Sequence, residues 1–224
     1  MKHTALVFVD DFGHPKETIL PVIEKVFDCS KWQVCVMDSV ESILSVMNPP
    51  DLIVTFKLGI SGIVEDRPSW YENNPFTYQW IKWVKECGMG LLVVHSGLCF
   101  IPKDHPVVTA GVYGSFAGHP AMGPLKVEIL KETNHPIIEG VEDFEELVDE
   151  HFQIEGLDEG KTTVFARSTS ELGGVQPAGW AHDCGKGRIA VLCPGHTTAK
   201  GNNLMSNGML RMIRNAIAFC GENN

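Results

Sequence analysis

The 224-residue sequence has no cluster of basic residues, no long apolar run and no Cys-x-x-Cys pair. Its 18 Lys and Arg stand against 28 Asp and Glu, a formal net charge of -10, whereas sequence-independent phosphate binding needs cations gathered on one surface. Nucleic acid is therefore not an expected partner. No apolar stretch approaches the roughly 18 residues of a membrane span, and Asp10 and Asp11 interrupt the first apolar segment before it could form a signal-peptide core. A cytoplasmic protein with no membrane partner is expected. The cysteines are odd in number and scattered at 29, 35, 87, 99, 184, 193 and 220. Cys29, Cys35, Cys87 and Cys220 fall in apolar patterns, which predicts buried, reduced thiols and not a disulfide framework.

Other absences narrow the chemistry. Gly-x-Ser-x-Gly does not occur, so Ser96, in Val94-His95-Ser96-Gly97-Leu98, lacks the full nucleophile-elbow signature. Gly111-Val-Tyr-Gly114-Ser-Phe-Ala-Gly118 follows no strand and runs into Pro120, so it is no dinucleotide fingerprint; it reads as a loop, and no nucleotide cofactor is expected. There is no internal repeat and no low-complexity segment. Compact ligand spacings such as His-x-x-x-His are missing too.

What is present is a regular alternation of strands and helices. Residues 4–9, 32–37, 51–56 and 90–95 read as strands. Helical stripes occupy 15–27, a short segment capped by Ser39, and 75–87, where Phe76, Trp80, Trp83, Val84 and Cys87 share a face. This order predicts a three-layer α/β fold with a mainly parallel, flavodoxin-like sheet. The second half reads as strands at 125–130, 146–153, 162–167, 176–182 and 188–193, an antiparallel extension, before a closing helix over 204–220. A chain of this length and 44% hydrophobic content suits a single domain over 1–224.

Parallel strands place chemistry at their carboxyl ends. Leu-Leu-Val-Val ends in His95 and Ser96, and the strand ends elsewhere supply Glu150 and His196, with His119 in the glycine-rich segment. His95, His119, His196 and Glu150 are thus candidates for one pocket. Three imidazoles and a carboxylate suit Zn²⁺ or a similar divalent ion, and the same residues serve acid–base catalysis without a metal. Ser96 or Cys99 as nucleophile, with His119 or His196 as base, is a different mechanism, to be set against a polar turn residue and a packing thiol. Asp11 and His14 follow the first strand and border the same region. The long loop at 58–74 carries Trp70 and Tyr71, placed either to stack on a substrate ring or to contact another chain, so a homo-oligomer is possible. His182, in Gly179-Trp180-Ala-His, is a further candidate for substrate binding.

Five motifs in order carry a family resemblance: Val94-His95-Ser96-Gly97; Gly114-Ser-Phe-Ala-Gly-His119-Pro120; Asn134-His135-Pro136-Ile137 leading to Asp149-Glu150-His151-Phe152; Gly179-Trp180-Ala-His182 with Gly185-Lys-Gly-Arg188; and Pro194-Gly195-His196. Together the sequence resembles the ThuA-like (trehalose utilisation) family of the class I glutamine amidotransferase-like superfamily. The resemblance implies carbohydrate metabolism, with a sugar or keto-sugar derivative as the small-molecule partner and hydrolase, lyase or isomerase chemistry. Two departures stand out. His151 occupies the position after Asp149-Glu150 where the family often has an aromatic residue, and so offers an extra potential ligand. The strand ending at His95 is not followed by the amidotransferase cysteine. An amidotransferase-like hydrolase and a non-catalytic sugar-binding or assembly module remain alternatives.

Overall fold

The computed structural model describes residues 2–59, 75–198 and 201–222. Its centre is a nine-stranded sheet. In chain order the strands and helices are β1 (His3–Phe8), α1 (Lys16–Val26), β2 (Trp32–Met37), α2 (Val40–Leu44), β3 (Leu52–Thr55), α3 (Pro75–Cys87) and β4 (Gly90–Val94), followed by β5 (Ser115–Gly118), β6 (Gly123–Ile129), β7 (Phe144–Asp149), β8 (Gln153–Glu155), β9 (Thr163–Ser170), β10 (Gly174–Cys184), β11 (Gly187–Leu192) and α4 (Asn207–Gly221).

The spatial order β2-β1-β3-β4-β11-β10-β9-β6-β7 divides the sheet in two. From β2 to β11 the pairing is parallel; from β11 to β7 it is antiparallel. The parallel half has the strand order of a flavodoxin-like fold, with β11 as its fifth strand. Strands β3 and β4 are buried at every position, which is why they read as unbroken apolar runs without alternation. One face is covered by α1 and α4 through Ile19, Val22, Met209, Met212, Ile213 and Ile217. The other carries Trp80, Trp83 and Val84 of α3 against Phe8, Leu91 and Val93. Ser39 caps α2 in a reciprocal capping box with Ser42.

Several expectations need correction. The strand predicted over 146–153 is two strands, β7 and β8, interrupted at Glu150–Phe152; there His151 is held by Ser170 and Ser168 while Phe152 enters the core. The glycine-rich segment read as a loop begins in the end of a helical turn, Val108–Val112, and finishes as β5, which pairs with β8. The closing helix starts later than predicted, at Asn207, where the Ser206 side chain accepts from the Met209 N–H. Cys220 is buried, but Cys29 and Cys87 are exposed and Cys35 is half-buried: Cys29 lies beyond the end of α1 and Cys87 is the last residue of α3. All seven cysteines are free thiols. Among the described residues no helix is long and apolar enough to cross a membrane.

Candidate active site and metal centre

Four segments meet at the carboxyl edge of the parallel strands: the turn after β1, the turn after β4, the β7–β8 break and the segment after β11. His95 directly follows β4 in a tight 3-10 turn, with φ +45 and 1% exposure. A non-glycine residue in this conformation is strained by about 1 kcal/mol or more, a cost that accompanies functional positions. Its Nδ1 donates to the Cys193 carbonyl at 2.7 Å. Phe152 stacks on the ring with centroids 4.5 Å apart.

Asp11 organises the turn after β1. Its carboxylate accepts from the N–H groups of Gly13, His14 and Leu58 at 2.7–2.9 Å and from His14 Nδ1 at 3.0 Å. Burial works against its charged form, but His14 and the backbone donors outweigh burial and hold the pKa below the usual carboxylate value. Asp149 does the equivalent work at the other wall. It accepts from the N–H of Glu150 at 2.7 Å, Gly195 at 3.0 Å and His196 at 2.9 Å, fixing the end of β7 to the segment after β11.

Three imidazoles converge as a result. His14 Nε2 lies 3.0 Å and His95 Nε2 lies 3.4 Å from His196 Nδ1. Because Asp11 and the Cys193 carbonyl accept hydrogen bonds from the Nδ1–H groups of His14 and His95, both rings, when neutral, present Nε2 lone pairs toward His196 Nδ1. Three such nitrogens within 4.8 Å of one another can hold a metal ion. Their chemistry fits a divalent cation of the zinc type, with neutral imidazoles oriented by outer hydrogen bonds.

Glu150 joins this cluster. One oxygen is 3.5 Å from His95 Nε2; the other is 3.5 Å from His196 Nδ1 and 3.6 Å from His119 Nε2. Burial would raise its pKa, yet the surrounding histidines bring it down to about 2. Burial also dominates at His196, lowering its pKa to about 4. At His95 burial is again the largest single influence, but Glu150 and Asp149 together reverse it and raise the pKa. His119 stands at the rim, with its Nδ1 2.9 Å from the Pro120 carbonyl.

The expected site residues fare unequally. His95, Glu150 and His196 meet, and Asp11 and His14 join them. His14 belongs to the imidazole triad itself, a role not foreseen for it, whereas His119, expected as a ligand, lies outside the triad and touches Glu150. The Ser96 hydroxyl donates to the buried carbonyl of Phe56 and bonds to no imidazole among the described residues. Cys99 is buried, and burial raises its thiol pKa well above the ordinary value, opposing the thiolate a nucleophile requires. His151, between two serine hydroxyls, is no extra ligand. His182 is not in the pocket. It lies opposite Ile189 on β11, beside Tyr113 and the charges of Asp183 and Lys85, toward the end of the strand remote from His196. Trp70 and Tyr71 lie outside the described residues. Asp149 went unrecognised as an organiser, although a carboxylate just before Glu150 was a visible signal.

The family model described as ThuA, trehalose utilisation, matches residues 5–220. No curated protein matches the chain. Among solved structures, one described as a ThuA-like protein from Parabacteroides merdae superposes with a TM-score of 0.71 at 15% identity, covering 98% of this chain and 90% of that one. PurLQS from Thermotoga maritima gives 0.61 at 14% identity, with 97% and 98% covered. A protein described as a GMP synthase component from Thermoplasma acidophilum gives 0.57 at 17%, with 99% and 96% covered. These likenesses show a fold that the chain shares with those proteins.

Proposed function

This chain belongs to the ThuA, trehalose utilisation, family, and from that premise we propose that it is an enzyme of carbohydrate metabolism, carrying out metal-assisted acid–base chemistry on a sugar or keto-sugar derivative. The observation that carries the reading is the convergence of His14 Nε2, His95 Nε2 and His196 Nδ1 with their outer partners already in place. These three residues would hold the ion, with Glu150 adjoining it. A bound divalent cation supplies Lewis-acid polarisation of a carbonyl or hydroxyl oxygen.

The chain's own residues do the rest. Glu150, ionised and half-buried, is the group that takes a proton from the substrate or from water. His119 contacts the same carboxylate and is a third exposed, so it can pass that proton to solvent. Such groups contribute about 10²- to 10⁴-fold each in rate. The raised pKa of Cys99 and the hydroxyl bond of Ser96 to Phe56 speak against an amidotransferase-like nucleophile at either position.

Elemental analysis of the purified protein tests the reading. Wild type is expected to hold about one divalent ion per chain, and His196→Ala to lose it. A metal-free wild type that turns over a sugar substrate would sink the metal and leave Glu150 with His95 as an acid–base pair. Ligand binding that survives both His95→Ala and Glu150→Ala, with no turnover in any form, would mark a binding module instead.

A further inference from the structure

Lys57 is a charged residue that the chemistry above does not use, and it is buried, 6% exposed, two residues beyond the end of β3. Taking an ammonium out of water is costly unless acceptors and opposite charge surround it. Among the described residues its Nζ donates to one group, the main-chain carbonyl of Asp10. Burial draws the Lys57 pKa down, while the negative charges of Asp11, Asp10, Asp38 and Glu41 oppose that pull and favour the ammonium.

The carbonyl that Lys57 holds belongs to a strained residue. Asp10 has φ +74, in the left-handed region where a residue with a Cβ sits only at an energetic cost. Three further contacts secure the turn. The Asp10 carboxylate accepts from the Lys16 N–H at the start of α1 at 3.1 Å, the Asp11 N–H donates to the His14 carbonyl at 3.3 Å, and the Leu58 N–H, next to Lys57, donates to Asp11 Oδ2 at 2.9 Å. The Asp10–Asp11 peptide is thus gripped at its oxygen by Lys57 and at its nitrogen by His14. It leads directly into the carboxylate that accepts from His14 Nδ1, so turning this peptide would swing that carboxylate away from the imidazole. A neutral donor could hold the carbonyl, but the ammonium also brings positive charge to the Asp11 side chain, which is 3% exposed.

We propose that Lys57 is a positioning residue for the His14–His95–His196 centre: through the Asp10 carbonyl it fixes the Asp10–Asp11 turn, so that Asp11 presents His14 Nε2 to the ion. The inference rests on the metal reading of that centre and extends its outer shell one step beyond Asp11.

Nuclear magnetic resonance of the metal-free full chain, labelled with ¹⁵N at histidine, reports the buried Nδ1–H groups of His14 and His95. In Lys57→Met the His14 resonance is expected to shift or broaden while that of His95, whose partner is the Cys193 carbonyl, stays in place; a loss of stability alone would move neither. Affinity for Zn²⁺, measured by competition with a chromophoric chelator, is expected to fall about 10- to 100-fold. Lys57→Gln, shorter and uncharged but still polar, is expected to behave alike, and circular dichroism verifies the fold of each variant. A His14 resonance that both variants leave unmoved overturns the proposal, as does a Zn²⁺ affinity equal to that of wild type. A wild type that binds no Zn²⁺ would instead sink the metal reading, with the metal-free spectra still deciding whether Lys57 positions His14.

Discussion

Asp11 and Ser96 sit beside the same cluster and do different things. Asp11 accepts a hydrogen bond from the Nδ1–H of His14 and so decides which ring nitrogen faces His196. Asp11→Asn keeps the shape of the turn but weakens that control, and outer partners of this kind are typically worth 10- to 100-fold in metal affinity. A loss of about that size is expected in competition with a chromophoric chelator; unchanged affinity would remove Asp11 from the outer shell. Ser96→Ala should leave metal content alone, because its hydroxyl is spent on Phe56. What it loses is one hydrogen bond to a buried carbonyl, about 1 kcal/mol of unfolding free energy in a urea titration. Abolished turnover with stability and metal intact would instead restore Ser96 as a nucleophile. The identity of such candidates was legible in the sequence, since His95 and Ser96 end a run of buried residues; their division of labour was not, because it depends on which backbone carbonyl each side chain reaches.

The elements that build the site are short turns hung on long strands. Gly195 has φ +135, and a Cβ there would stand 2.4 Å from Leu204 Cδ2. Gly195→Ala therefore strains the backbone and pushes on the turn before α4, displacing His196 from its partners. It is expected to lower metal occupancy measured by elemental analysis while retaining the circular dichroism of the native sheet; full occupancy would show that the turn can yield. Periodicity found β2 and α3 at their observed limits, and β4 to within one residue, because their side-chain patterns are governed by local repeats. It missed the break between β7 and β8, where Asp149, Glu150 and His151 are each held by residues distant in sequence.

Across the whole molecule, histidines away from the pocket contribute to the response to acid alongside His196. His135, stacked on Phe165, and His182, beside Tyr113, both have pKa values lowered by burial to about 4. Between about pH 6.5 and 4 the unfolded chain takes up protons at these positions and the folded chain does not, so stability falls as the pH falls through that window. Urea midpoints at pH 7 and pH 5 should show the decline. Both ring nitrogens of His182 are buried without a hydrogen-bond partner among the described residues. His182→Leu should accordingly reduce the pH dependence, and a variant with an unaltered slope would assign the decline to other groups.

The sequence by itself determined the α/β class, the limits of the strongest elements and the family, because hydrophobic period and motif order are local properties of the chain. It also supplied most of the chemical cast. The tertiary structure decided how that cast is used: His14 joins His95 and His196, His119 stays at the rim, and His182 stands elsewhere. It decided as well that the Lys57 ammonium reaches the Asp10 carbonyl. Those outcomes depend on strand order and on hydrogen bonds joining residues up to 182 positions apart, distances in sequence over which no local pattern carries information.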